Sequence, residues 1–301
     1  MKRNLLVRGL ILCAAHGAIS GMASGSIHGF VSGQADVPGP DPAIHETQSS
    51  DESAFFIDAA VLNAIGGDGL ALQGVDFRGG RFVGRAHSCV GPPDPFRDTA
   101  FGSSELTISN ETFAVVAEGP NPPQTTAVTF CYSYTTSILG SALAPSLADN
   151  SIAGNQITMT VNNVTRLNGS HQVNARTGVI TGSGAFNGTT DEIVTVEGEF
   201  TINVQVGVFF PVSIIAISST TAGSRSAPGT PQDVEATSGF ALTFGAHTAE
   251  GFHVQWRGEA WSGLCGSSVD LVPPNPADEP APSALVTLCI TGAAIMTRRR
   301  R

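Results

Sequence analysis

Two glutamates on one predicted strand have a spacing that could do chemistry. Glu197 and Glu199 alternate with apolar residues inside the run 194–206. Because side chains alternate between the faces of a strand, both carboxylates share one face, roughly 7 Å apart. Two carboxylates at such a distance can serve glycoside hydrolysis. A solvated strand face is the simpler interpretation and the one we favour, so we assign no catalytic residue.

Aromatic and imidazole side chains cluster further along the chain. His253, Trp256 and Trp261 lie within a few residues of one another, and His247 precedes them. Indole rings can stack on the apolar faces of sugars, so we place a candidate ligand surface at Trp256, Trp261 and His253. Ordinary core aromatics are the alternative interpretation.

Signatures of other catalytic sites are missing from the sequence. It contains no G-x-S-x-G elbow and no H-E-x-x-H pair. Its one lysine is Lys2, which excludes a Schiff-base or P-loop lysine from a chain that has lost its first residues. The cysteines form no C-x-x-C pair, the spacing typical of zinc sites. We therefore expect no cofactor and no metal, and we favour a protein that is not an enzyme.

Composition indicates an exported β protein. The 301 residues are 41% hydrophobic and only 13% charged, and 35 of them are glycines. A neutral, turn-rich chain of this kind is typical of extracellular β folds. The formal net charge of −10 repels phosphate backbones, so we expect no nucleic-acid partner.

The run 194–206 shows the architecture most clearly. Its apolar and polar residues alternate without a break, which predicts a strand with one buried and one wet face. The strand would span roughly 40 Å, so we predict a bend or bulge at Gly198. Similar alternation recurs along the chain, and no useful stretch has a helical period. The sequence thus predicts an all-β, mainly antiparallel sandwich or barrel.

The order of segments predicts a leader, linkers and two groups of strands. A basic start, an apolar stretch and small residues before a cleavage point indicate a secretory signal. The apolar run 208–217 predicts a strand covered on both faces. We divide the chain into a signal peptide (1–23), a disordered linker (24–53), a main β domain (54–217), a linker (218–238), further strands packing on the main domain (239–277) and a terminal segment (278–301).

The cysteines predict disulfides. Without Cys13, which lies in the predicted leader, four candidates remain, an even number that suits two bridges in an exported chain. Residues 75–84 resemble residues 254–263, and a cysteine follows each segment. This internal repeat favours one bridge within each half and leaves the other connectivities open. The favoured bridges are Cys89–Cys131 and Cys265–Cys289.

The last residues carry the most specific pattern. Asp278, Glu279 and Pro280 precede a mostly apolar segment, and Arg298, Arg299, Arg300 and Arg301 end the chain. This arrangement resembles the PEP-type sorting signal of exosortase substrates, with aspartate in place of the first proline. The resemblance covers residues 278–301 only. The alternative is that residues 285–290 form the last strand and the arginines a solvated tail.

The resemblance implies a route to the cell surface. Exosortase substrates are exported, held briefly in the inner membrane, cleaved near the motif and sent to the surface or the exopolysaccharide matrix. We therefore expect Sec export to the cell surface or outside, with export and sorting machinery and exopolysaccharide or other surface proteins as partners. Membrane contact would be transient. A secreted β-barrel enzyme, glycosidase-like or cyclase-like, is the alternative.

Overall fold

The chain folds as an all-β protein. The structure, a computed structural model, describes residues 25–36, 44–50, 54–62, 67–90, 98–119, 122–143, 145, 148–224 and 234–265. Across these residues no helical segment has the length and apolar character that a membrane span would need. The predicted leader (1–23) and sorting segment (278–301) lie outside them.

Fifteen strands occur in the described residues. In chain order they are β1 (Ser26–Asp36), β2 (Ile44–Ser50), β3 (Ala54–Leu62), β4 (Gly67–Asp76), β5 (Arg81–Val90), β6 (Asp98–Ala117), β7 (Thr125–Ala142), β8 (Ile152–Val161), β9 (Val164–Asn174), β10 (Val179–Gly184), β11 (Ile193–Gln205), β12 (Phe210–Ser224), β13 (Val234–Thr248), β14 (Phe252–Trp256) and β15 (Glu259–Ala260).

The strands form two antiparallel sheets packed as a sandwich. The first sheet has the order β10-β9-β8-β12-β6-β1-β2, and β14 pairs with the far end of β6 and with β15. The second sheet has the order β11-β7-β13-β5-β4-β3. Within the described residues neither sheet closes on itself, so of the two predicted architectures the sandwich is the one that forms.

The space between the sheets holds an aromatic core. Phe77 lies 4.5 Å from Trp256 between ring centroids, and Phe130 stacks on Phe244 at 5.4 Å. Such pairs add about 0.5–1.5 kcal/mol each beyond the apolar area they bury. Apolar residues from both sheets surround them, among them Ile108, Ile157, Met159, Val212 and Leu242.

Strand β11 follows the predicted alternation. Ile202 and Val204 face the core, whereas Glu197 and Glu199 are exposed. The predicted bulge at Gly198 is wrong, since β11 pairs with β7 in unbroken register from Ile193 to Gln205. A Cβ atom at Gly198 would collide with the ring of Tyr132. The glycine therefore makes room for an aromatic side chain in a strand of unbroken register.

The two expected linkers are largely strands, which corrects the predicted division of the chain. Within 24–53 lie β1 and β2, and β1 buries Ile27 and Val31 while it pairs along β6. Within 218–238 lie the end of β12 and the start of β13. Ser218 and Ser238 are fully buried and share a hydrogen bond of 2.7 Å between the sheets. Their hydroxyl groups satisfy each other, so a polar stretch can lie in the core.

The apolar run 208–217 is only partly covered. It enters β12, where Val212, Ile214 and Ala216 are buried. Ile215 on the opposite face is 40% exposed, and Phe209 before the strand is 67% exposed. The prediction that both faces of this strand are covered is therefore wrong, because no layer of described residues packs outside the first sheet here.

Candidate functional site

The structure places the predicted tryptophans in the core. Trp256 is 5% exposed and Trp261 is 8% exposed. The Trp261 indole donates a hydrogen bond of 2.8 Å to the carbonyl of Phe77, and its ring packs on Phe113 and Phe244. Neither indole presents a face to a sugar, so these rings are the core aromatics of the alternative interpretation. His253 is half-buried beside Gln255 and Glu118. It does not form a ligand surface with the two buried tryptophans.

Trp256 is held by a buried carboxylate that the sequence analysis missed. Its indole donates to Glu111 Oε2 at 2.6 Å, and the Arg257 guanidinium donates to both Glu111 oxygens at 2.6 and 3.1 Å. The guanidinium also lies 4.8 Å from the Trp256 ring centroid. Glu111 is 1% exposed, so its charge depends on these donors. Glu111 lies 145 residues before the adjacent pair Trp256 and Arg257, so no local sequence motif indicates this group.

A groove on the outer face of the second sheet brings together the predicted glutamates. It measures about 380 Å³ and is lined by Cys131, Tyr132, Ser133, Glu197, Gly198, Glu199, Thr243 and Leu264. The register explains this grouping: Glu197, Ser133 and Thr243 lie side by side on three neighbouring strands, as do Glu199, Cys131 and Gly245. The carboxylates thus face solvent above a floor of small side chains.

Hydroxyl groups extend this polar surface along β7 and β11. Thr129 and Thr201 share a hydrogen bond of 2.9 Å, and Thr135 and Thr195 share one of 3.0 Å. Between these pairs, Ser133 donates to Glu197 Oε1 at 3.2 Å. Cross-strand pairs of this kind fix side-chain positions on a sheet. The surface therefore presents hydroxyl and carboxylate oxygens in a row of about four residue pairs.

A disulfide forms one wall of the groove. Cys131 on β7 is bonded to Cys265, 134 residues later, with the Cα atoms 5.6 Å apart. Gly245 lies opposite Cys131 in the sheet, and its missing side chain lets the backbone of Leu264 and Cys265 pass directly over it. Closing a loop this long typically contributes about 2–5 kcal/mol to the free energy of unfolding.

This bridge corrects the predicted connectivity. Cys131 is paired with Cys265, so the expected bridges Cys89–Cys131 and Cys265–Cys289 are both wrong. The repeat behind that expectation is reflected only in local structure: residues 75–84 and 254–263 both contain strand hairpins. Cys89 is half-buried on β5, opposite Asp68 and Glu235. Cys289 lies outside the described residues.

His247 lies next to the disulfide. It is exposed on β13, opposite Thr129, and its ring nitrogen and the two cysteine sulfurs lie within 4.8 Å of one another. Two cysteines and one histidine are a ligand set that binds zinc in proteins. This ligand set cannot be recognised in the sequence, because its three residues come from three separate segments.

A second polar group occupies the other end of the same sheet face. His87 donates or accepts a 2.9 Å hydrogen bond with Thr237, and carboxylate oxygens of Asp68 and Glu235 each lie 3.8 Å from its ring nitrogens. Burial, then the charge of Arg85, lowers the pKa of His87 to about 4. Burial, then the charge of Glu235, raises the pKa of Asp68 to about 6. Desolvation therefore favours the neutral form of both groups.

Comparison with known proteins assigns no family. No family model and no curated protein matches the chain. Among solved structures, the chain is similar to infectious bursal disease virus Gx strain at 12% identity and a TM-score of 0.14, over 80% of this chain and 66% of that chain. The Gt strain gives 11% identity and a TM-score of 0.11, over 88% and 69%. The VP2 subviral particle of this virus gives 12% and 0.13, over 73% and 64%. Scores this low carry no argument about fold or function.

Proposed function

We propose that this protein is an exported, non-enzymatic component of the cell surface or extracellular matrix that binds polysaccharide through the groove beside β11. The observation that supports the proposal most directly is the row of hydroxyl and carboxylate groups around Glu197 and Glu199. The leader-like start and the sorting-signal pattern of residues 278–301 support export to the surface.

The chemistry of the groove suits a sugar polymer. Sugar hydroxyls donate well to carboxylates, and such charge-assisted hydrogen bonds are about twice as strong as neutral ones. Because the groove is open and shallow, each sugar unit would keep part of its water, and affinity would come from many units along the strands. Two carboxylates and a chain charge of −10 disfavour polyanions, so the preferred polymers are neutral or amino-sugar polysaccharides.

Retention on immobilised polysaccharides tests this proposal. We expect the full chain to be retained on a neutral glucan or chitosan and to pass through alginate. The double variant E197Q/E199Q keeps the shape of both side chains, and its retention should fall about tenfold or more, equivalent to a loss of about 1.4 kcal/mol.

The matched control is E250Q, which alters an exposed glutamate in the turn before β14. It should bind like the unaltered protein. Equal retention of E197Q/E199Q and E250Q would remove the groove from the proposal.

A secreted glycosidase-like enzyme is the second candidate, because both carboxylates share one groove. Their Cα atoms are roughly 7 Å apart along β11, and glycosidases hold their two carboxyl groups about 5–9.5 Å apart. The enzyme would release new reducing ends from a polysaccharide, and E197Q or E199Q alone would abolish the release. Binding without any release of reducing ends would favour the non-enzymatic proposal.

A further inference from the structure

The disulfide and the neighbouring histidine place three side chains of metal-binding type close together. Cys131 comes from β7, His247 from β13 and Cys265 from the segment after β15, yet their ligand atoms lie within 4.8 Å of one another. His247 is exposed and both cysteines are half-buried, so solvent and ions reach all three. A disulfide alone does not require an imidazole at its side.

We propose that reduction of this disulfide creates a metal site for Zn²⁺ or a similar thiolate-binding divalent ion, with Cys131, Cys265 and His247 as ligands. A dithiol or phosphine reductant supplies two electrons, and two protons complete the thiols. Binding of the ion then releases both thiol protons and forms two metal–sulfur bonds and one metal–nitrogen bond. This inference is independent of polysaccharide binding.

The geometry needs only one ligand to move. Tetrahedral zinc holds sulfur at about 2.3 Å and imidazole nitrogen at about 2.0–2.1 Å, so the two sulfurs must separate from bonding distance. Cys131 and His247 lie on neighbouring paired strands, two residues apart in register, and are fixed by the sheet. Cys265 lies beyond the last described strand and follows Leu264, which is 74% exposed, so its segment is the part that adjusts.

Surrounding residues hold the ligands together and offer a fourth one. Gly245 has no side chain, and the backbone of Leu264 and Cys265 lies over it, which keeps Cys265 beside Cys131 and His247. Glu199 lies directly opposite Cys131 on β11, where cross-strand neighbours are about 4.5–5.5 Å apart. A carboxylate oxygen or a water molecule would complete four-coordinate geometry.

The oxidation state of the two cysteines would then decide whether a disulfide or a metal ion links residue 265 to β7. The disulfide consumes both sulfur ligands, so the oxidised protein cannot hold the ion through them. In a reducing compartment the metal would tie residue 265 to β7, and in an oxidising one the covalent bond would do so. Both states would keep the segment of Leu264 and Cys265 beside the groove that contains Glu197 and Glu199.

Cobalt titration tests the proposal, because tetrahedral thiolate-bound Co²⁺ has visible absorption bands and sulfur-to-metal charge transfer. Full-length protein reduced with a phosphine should show both signals, saturating at one ion per chain, and Zn²⁺ should displace the cobalt. Oxidised protein should show neither signal.

Five variants complete the test. C131S and C265S should lose the charge-transfer band, and H247Q, which keeps the disulfide, should bind at least about tenfold more weakly after reduction. H253Q and C89S should bind like the unaltered chain. No cobalt signal in the reduced protein, or full affinity in H247Q, would overturn the proposal, and so would equal loss in H253Q. Circular dichroism before titration separates lost binding from lost fold.

Discussion

At the residue scale, the outer face of the second sheet carries buried ionisable groups that affect the free energy of unfolding. Asp68 is 4% exposed, and its Oδ1 has no hydrogen-bond partner among the described residues. The backbone N–H of Cys89 donates to this carboxyl group, but burial and the charge of Glu235 outweigh that bond and raise its pKa to about 6. An ionised Asp68 therefore destabilises the fold, whereas a protonated one does not.

The direction of this pKa shift predicts how the substitution D68N changes the stability of the fold. Because the pKa of Asp68 is higher in the folded state, its stabilising contribution is complete below about pH 4 and is lost as pH rises through about 6. Asparagine stays neutral, so D68N should be more stable than the unaltered protein at pH 7.5, by up to about 3 kcal/mol. At pH 4 the difference should disappear. Urea denaturation at both pH values measures it.

Neighbouring charges must be considered in the same experiment. Arg85 and His87 lie on the adjacent strand β5 and Glu235 lies on β13, one strand further, and the pKa of His87 moves the opposite way, to about 4. The stabilising contribution of His87 is present above about pH 6.5 and is lost as pH falls through about 4. Since D68N keeps His87, this loss occurs in both proteins and largely cancels from their difference. A D68N protein that is less stable at pH 7.5 would contradict the assignment.

At the element scale, the strand pattern was predictable wherever one face is apolar and the other polar. β11 satisfies this condition, and the structure confirms the alternation predicted for it. The burial of β7 and β8 alternates in the same way over most of their length. β1 and the end of β12 were missed because their buried positions include serine and threonine, which local composition cannot distinguish from a linker. Ser218 and Ser238 are accommodated in the core by the hydrogen bond that they share between the sheets.

The candidate site was predictable only within one strand. Alternation in β11 placed Glu197 and Glu199 on one face, which is a local property. The partners Ser133, Thr243 and Cys131 depend on which strands are neighbours and on their register, and these come from long-range pairing. For the same reason the internal repeat gave the wrong disulfides: it reported local hairpins and not the contact between β7 and residue 265.

Formation of the Cys131–Cys265 disulfide requires a glycine at position 245 of β13. A Cβ atom there would collide with the backbone of Leu264 and Cys265. G245A should therefore lift this segment, prevent full formation of the Cys131–Cys265 bond and lower the free energy of unfolding by about 1–3 kcal/mol. Thiol titration and urea denaturation measure the two effects.

A matched control is G119A, because a Cβ atom at Gly119 meets nothing within 4 Å. It should leave the thiol count and stability unchanged. If G245A forms its disulfide as completely as G119A does, the close approach at residue 245 does not control the bond.

At the scale of the whole molecule, the described part of the sandwich lies before the proposed sorting segment (278–301). The Cys131–Cys265 bond fixes the chain to the second sheet at its last described residue. Cys265 is therefore already paired with Cys131 and cannot bond to Cys289. The alternative in which residues 285–290 form the last strand loses the covalent link that Cys265–Cys289 would have given it. A folded domain secured before residue 266 is compatible with removal of everything that follows Glu279.

Maturation in the native host provides the last prediction. If residues 278–301 are a PEP-type sorting signal, intact mass should show a chain that lacks everything after about Glu279 or Pro280, and the leader of about 23 residues should be absent too. Peptide mapping without reductant should recover the linked peptides of Cys131 and Cys265, because both lie before the cleavage point. A mature chain that still ends at Arg301 would refute sorting and remove the main support for a surface role. The groove would then have to be judged by its binding and hydrolysis assays alone.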